Sequence, residues 1–345
     1  MNISRTLFGT LDSGEKVWLY KLAAGDLCLT MTNLGATWVS LFAPDAAGRT
    51  EDVILGYSTL DGYTRNAAFL GATIGRSANR IGNACFSIGE KRFTLFANDD
   101  RNTLHGGRRG FDKRIWAANA YSDRDGVYVS FELCSPDGDE GFPGNLRAVV
   151  TYGVTRDNEI TADYFARVDA LSPVNLTNHA YFNLKGEGNG MVLDHELLIN
   201  GSHYLAVGDG RIPTGKIVPV DGTPFDFTKR KSIRKDYITA GSGYDLCYAL
   251  DGEYGKMRLV AEVNEPVSGR VLKVSTTQPG MQFYIGNSLN GVAGKLGSNY
   301  DRHYGFCLET QHYPDSPNHP EFPSTIFGPG HDYHEQTVFR FGVQA

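Results

Sequence analysis

The chain has 345 residues, with 33 Lys plus Arg against 39 Asp plus Glu and a formal net charge of −6. That balance excludes the basic footprint of a nucleic-acid-binding protein and suits a neutral small molecule as partner. Hydrophobic residues make up 41%, enough for a large core, yet no apolar run reaches the length of about 18 residues that a membrane span needs.

Residues 1–20 contain no continuous apolar stretch of the kind a leader peptide carries, so none is expected and the cytoplasm is the default compartment. The five cysteines, Cys28, Cys85, Cys134, Cys247 and Cys307, form no CxxC pair. An odd set without such pairs reads as reduced thiols in a reducing compartment.

The periodicity along the chain is that of strands. Leu27, Leu29 and Met31 alternate with Cys28 and Thr30; Val127, Val129 and Phe131 alternate with Tyr128, Ser130 and Glu132. Ile160, Ala162, Tyr164 and Ala166 repeat the pattern, as do Leu272, Val274 and Thr276 against Val271, Lys273 and Ser275. Period-two alternation marks half-buried strands. Turn signals punctuate at Asp12-Ser13-Gly14, Pro136-Asp137-Gly138, Arg156-Asp157-Asn158, Gly188-Asn189-Gly190 and Asp251-Gly252. No long amphipathic helix, low-complexity linker or internal repeat interrupts them. The pattern predicts an all-β fold, a large antiparallel β-sandwich, as one domain over residues 1–345.

Six segments carry polar chemistry. Gly75-Arg76-Ser77-Ala78-Asn79-Arg80-Ile81-Gly82 places two guanidiniums and an amide in a glycine-flanked loop. The glycine spacing matches neither nucleotide fingerprint, and bracing other groups is as good a use for the arginines as binding oxygens. Next comes Asn102-Thr103-Leu104-His105-Gly106-Gly107, a histidine before two glycines that would let a ligand approach closely. In Asn175 to Leu184, His179 stands beside Tyr181 and Phe182, aromatics able to lie flat on a sugar ring. Gly243-Tyr244-Asp245 supplies a carboxylate after a Gly-Ser-Gly turn, and Gln278 to Tyr284 supplies amides at Gln278 and Gln282. Finally, Phe306 to Leu308 leads Glu309 into a loop with Pro314, Pro317, Pro320, Pro323 and Pro329 and with His312 and His319. Proline restricts such a loop to few conformations, which predicts a stiff support for a carboxylate at a strand end. These groups suit polyol recognition with acid–base work. No pair has the short spacing of common zinc sites, and no GxSxG elbow is present.

Taken together and in order, GRSANRIGNACF (75–86), NTLHGG (102–107), GFDKRIW (110–116), SPVNLTNHAYFNL (172–184), GYDL (243–246), TTQPGMQFYIGN (276–287) and the Glu309 segment (306–330) resemble the aldose 1-epimerases, the galactose mutarotase family. The resemblance spans most of the chain. It implies a mutarotase-like supersandwich, no cofactor and no metal, a monosaccharide substrate, and a monomer or homodimer.

Carried over by position, Glu309 is the expected general base toward the anomeric hydroxyl and His179 the expected general acid toward the ring oxygen. Asn79, Arg80, His105, Asp245 and Gln282, the last chosen over Gln278, are the expected sugar-binding groups. Ordinary pKa values would leave Glu309 ionised and His179 partly protonated at neutral pH, and a nearby Arg80 would help keep Glu309 ionised. One departure stands out: Leu246-Cys247 follows Gly-Tyr-Asp where the family often has His-Asn, which bears on substrate preference. Three other readings stay open at this stage. They are a glycosidase using Asp245 and Glu309, a hexose-phosphate epimerase using Arg108 and Arg109, and a non-catalytic sugar-binding module.

Overall fold

The computed structural model describes residues 1–241 and 243–344. The strongest alternations form a nine-stranded sheet. Its order is Ala117–Ser122, Gly126–Ser135, Leu146–Thr155, Glu159–Val168, Tyr333–Val343, Arg270–Thr276, Arg258–Asn264, Glu196–Ile199 and Lys231–Ser232. Val127, Val129 and Phe131 are buried while Tyr128, Ser130 and Glu132 are not, as period two requires. Ile160, Ala162, Tyr164 and Ala166 likewise share the buried face of their strand. The tight turns fall where glycine and asparagine permit positive φ: Gly138 has φ +79° and Asn158 +58°.

A second sheet of five strands, Asn2–Thr10, Lys16–Ala24, Leu27–Thr32, Thr37–Pro44 and Thr50–Asp52, packs on the first. Trp38 at this interface meets Tyr152 edge-on at 5.3 Å and Phe339 at 5.5 Å. Such pairs contribute about 0.5–1.5 kcal/mol each beyond the area they bury. A third sheet runs Pro213–Pro219, His203–Val207, Asp245–Ala249, Gly280–Tyr284 and Cys307–Gln311. Its apolar face, with Leu246, Tyr248, Met281, Phe283 and Leu308, joins the same buried cluster as the other two sheets. Every ladder between described strands is antiparallel, and the only α-helix among the described residues is Leu60–Arg65. The expected all-β antiparallel class is what forms.

Candidate active site

The third sheet builds the floor of the site. Across its three last strands Asp245 pairs with Tyr284, Gln282 with Glu309, and Tyr284 with Cys307. Because alternate residues share a face, Asp245, Gln282 and Glu309 project together on the side opposite the apolar core face. The same count sends Leu246 inward, while Gln278 lies in the turn before Gly280–Tyr284, outside the strand. Gln278, fully buried, gives its amide to Tyr333 Oη at 2.8 Å and takes no part in the site.

Glu309 is the middle residue of Cys307–Gln311, not a strand end, because the ladder with Gly280–Tyr284 continues through Gln311. The proline-rich loop therefore begins beyond it and braces a different wall. Asp315 gives its amide N–H to Arg80 O at 2.8 Å and accepts Gly82 N–H on Oδ1 at 2.9 Å. His312 turns away to Glu335 and Tyr254, and His319 toward Asp315 and Glu321.

Two further walls come from short strand pairs. Thr177–Asn178 pairs with Thr73–Ile74, and His179 continues that pairing through its N–H to Ala72 O at 2.9 Å. Phe182 and Phe306 exchange backbone hydrogen bonds of 2.7 and 2.9 Å, which ties this segment beside the Glu309 strand. Arg80–Ile81 pairs with Thr103–Leu104. Asn79 and His105 then hold each other: His105 N–H donates to Asn79 O at 3.0 Å, and Asn79 N–H to His105 Nδ1 at 3.2 Å. The glycines after His105 serve the backbone rather than a ligand. A Cβ on Gly106, at φ +83°, would lie 2.0 Å from Gly75 O, and one on Gly107 would meet Glu140.

All seven expected site residues line one cavity of about 160 Å³, joined by Phe69, Tyr181, Tyr284, Ser288 and Arg211 among others. His179 Nε2 lies 3.6 Å from Glu309 Oε2. That oxygen accepts no hydrogen bond from any described residue, and Glu309 is only 2% exposed. On its other side His179 places Nδ1 3.5 Å from Cys307 Sγ and stacks on Tyr181 with ring centres 5.0 Å apart. Asn79 Nδ2 donates to Gln282 Oε1 at 3.2 Å, and Gln282 Nε2 donates to Asp245 Oδ1 at 2.7 Å. Arg80 pairs with Asp99 at 2.7 Å. Arg76, by contrast, is buried and donates to Ser135, Pro136, Pro143 and Gly144. Of the two guanidiniums in that loop, one braces carbonyls and one faces the cavity.

The free-solution protonation states do not survive burial. Desolvation first, then the charge of Asp245, pushes the Glu309 carboxyl well above its ordinary range; Arg80 pulls the other way as expected, but it is the smallest of the three influences. Burial lowers His179 to about 4 and His105 well below its usual value. Burial thus disfavours the charged form of both members of the pair.

Several expectations fall outside this cavity. Phe182 is a core residue. Cys247 sits with Leu205, Tyr313 and Phe322, so the Leu246-Cys247 departure does not touch the cavity lining. Arg108 and Arg109 give backbone amides to Glu140 and are exposed elsewhere. Ser242, in the turn before Asp245, lies outside the described residues. Conversely, Phe69, Arg211 and Ser288 had no signal in the sequence beyond being a lone aromatic, a lone cation and a lone hydroxyl. The donor atoms of His105, His179 and Glu309 lie within 4.8 Å of one another, close enough for a cation to bridge. We assign no metal ligand among them.

The antiparallel fold thus holds a carboxyl and an imidazole side by side over a floor of amides, a set of groups suited to acid–base work. The family model described as aldose 1-epimerase matches residues 19–340, and the chain belongs to that family. It is 41% identical to the galactose mutarotase of Rattus norvegicus over 99% of both chains. It is 42% identical to that of Homo sapiens, again over 99% of each, and 40% identical to the aldose 1-epimerase of Escherichia coli over 91% of this chain and 92% of that one. Among solved structures it is similar to the aldose epimerase homologue of C. elegans, with a TM-score of 0.87, 29% identity and coverage of 95% and 99%. The galactose 1-epimerase of Lactobacillus acidophilus also gives a TM-score of 0.87, at 25% identity and coverage of 100% and 99%.

Proposed function

We propose that this protein is an aldose 1-epimerase that interconverts the α and β anomers of free aldohexoses such as D-galactose and D-glucose. The observation that carries the reading is the buried Glu309–His179 pair, 3.6 Å apart, at the base of a cavity lined by hydrogen-bonding groups. Near-full-length relatives named galactose mutarotase support the same reaction.

With sugar bound, Glu309 as carboxylate takes the proton of the anomeric hydroxyl while His179 as imidazolium gives a proton to the ring oxygen. The C1–O5 bond breaks and an aldehyde forms at C1. Both catalytic groups become neutral in this step, so burial, which favours the neutral form of each, favours ring opening. The pair carries one proton in total, the same count whether that proton rests on Glu309 or on His179. Rotation about C1–C2 presents the other aldehyde face, and the reverse transfers close the ring as the other anomer. Each positioned group supplies roughly 10²–10⁴ in rate. Asn79, Arg80, His105, Asp245 and Gln282 bind the hydroxyls, and Tyr181 holds the His179 ring by stacking. This chemistry needs neither a hydride carrier nor a metal ion. One domain over residues 1–345 carries it, in the cytoplasm, as a monomer or homodimer. No helix is long and apolar enough to cross a membrane.

The glycosidase reading is weaker because Asp245 is committed to Gln282 and Arg211. The test is polarimetry of freshly dissolved α-D-galactose and α-D-glucose, with and without EDTA. Faster relaxation to the same final rotation, unaffected by EDTA, is expected. Relaxation at the buffer rate for both sugars overturns the assignment.

A further inference from the structure

Arg211 lies in the hairpin loop Gly208-Asp209-Gly210-Arg211-Ile212, which joins His203–Val207 to Pro213–Pro219 at the outer edge of the third sheet. The loop is closed by Gly208 N–H to Ile212 O at 2.9 Å, and Arg211 itself takes φ +58°, a backbone state that a residue with a side chain rarely adopts. From there its Nη1 reaches Asp245 Oδ2 at 2.7 Å. The arginine side chain is 46% exposed and the aspartate 12%, so the pair spans the rim of the cavity. Oδ1 of the same carboxylate is already taken by Gln282, whose Oε1 is in turn taken by Asn79. Arg211, Asp245, Gln282 and Asn79 thus form one chain, an ion pair followed by two hydrogen bonds, from the rim across the floor.

We propose that Arg211 is a positioning residue for the reaction. By clamping Asp245 it fixes the two amides that face the sugar and offsets the negative charge that Glu309 faces. The role rests on the mutarotase reading only for its effect on turnover. The ionisable groups around Glu309 are Cys307 on its own strand, Tyr284 on the next and Asp245 and Cys247 beyond it. His179 and Tyr181 come from one side wall, Arg80 and His105 from the other. Asp245 raises and Arg80 lowers the cost of ionising Glu309. A cation bound to Asp245 weakens the first effect. Removing that cation therefore makes Glu309 harder to ionise, and leaves Asp245 and Gln282 free to reorient.

The experiment compares the parent with Arg211→Gln, Arg211→Lys, Asp245→Asn and the Arg211→Gln/Asp245→Asn double variant. Two readouts are used: the pH dependence of kcat/KM by polarimetry, and the ¹³C carboxyl titration of Glu309 in the sugar-free protein, assigned with Glu309→Gln. In Arg211→Gln the carboxyl midpoint should move up by roughly 0.5–1 pH unit, and the alkaline limb with it, since the reacting pair carries one proton and loses it as Glu309 ionises. KM should rise several-fold, and Arg211→Lys should recover most of the pH shift. With Asp245→Asn already present, Arg211→Gln should raise KM no further, because the carboxylate through which Arg211 positions Gln282 is gone. An active parent whose Arg211→Gln variant keeps both midpoint and KM overturns the inference, as does a KM rise undiminished in the Asp245→Asn background. A midpoint shift in a parent that turns over no sugar supports the charge clamp and sinks the mutarotase reading alone.

Discussion

Replacing Glu309 by Gln separates the chemical role of the carboxyl from its cost to the fold. Gln has the same shape but neither ionises nor accepts a proton. Loss of the general base should lower kcat by roughly 10²–10⁴, or about 2.7–5.5 kcal/mol in barrier height. The effect on stability has a definite sign. Burial raises the folded-state pKa of Glu309 above its ordinary value. Between those two values the native state holds a proton that the unfolded state has lost. Stability therefore falls as pH rises through that window, and the full penalty persists above it. Gln carries no such penalty. The stability difference should move in favour of the variant by up to about 1.4 kcal/mol per pH unit inside the window. Its amide N–H groups, on a site where Glu309 Oε2 finds no protein donor, cost about 1–3 kcal/mol that does not vary with pH. Urea unfolding of both proteins from about pH 5 to about pH 8 reads the slope, and polarimetry reads the rate. A variant within tenfold of the parent's kcat, or a stability gap flat with pH, would refute the assignment of Glu309 as a buried, proton-exchanging base.

Three other outcomes follow from the geometry. Arg76→Met strands buried carbonyls at Ser135, Pro136, Pro143 and Gly144, so thermal melts should show a loss of about 3–5 kcal/mol, with the folded fraction still active. Gln282→Ala should raise KM about tenfold with little change in stability, whereas Gln278→Ala, which breaks the bond to Tyr333, should cost about 1–3 kcal/mol with KM unchanged; the reverse pattern would show the wrong glutamine was placed in the site. His179 and His195, lowered by burial to about 4 and about 3, and His105, lowered further than its ordinary value for the same reason, stay neutral in the fold while the unfolded chain takes up protons. Stability should thus fall as pH drops from about 6.5 toward about 4, by up to about 1.4 kcal/mol per unit per histidine, with Glu309 opposing part of it. Denaturation midpoints unchanged over that range would contradict the neutral-histidine assignment.

Much of the fold was readable from one dimension. Alternation at Val127–Phe131 and Ile160–Ala166, and turn residues such as Gly138 and Asn158, are local properties, and they became strands and turns where expected. The segments holding Asn79, Arg80, His105, His179, Asp245, Gln282 and Glu309 were also visible as unusual polar runs beside apolar ones, and one cavity collects all seven.

What the sequence by itself determined, then, was the strand class and the set of side chains able to do acid–base work on a sugar, because both depend on residue type and near-neighbour spacing. The tertiary structure alone decided that Gln282 rather than Gln278 faces the cavity, since that follows from the register Gln282–Glu309 across two strands. It also decided that Gly106 leaves room for the Gly75 carbonyl, that Asp315 in the proline-rich loop braces Arg80 rather than Glu309, and that Arg211 closes on Asp245. Above all it set the direction in which the central pair's titration is shifted. Desolvation sums over every atom packed around Glu309 and His179, and those atoms come from strands far apart in the chain.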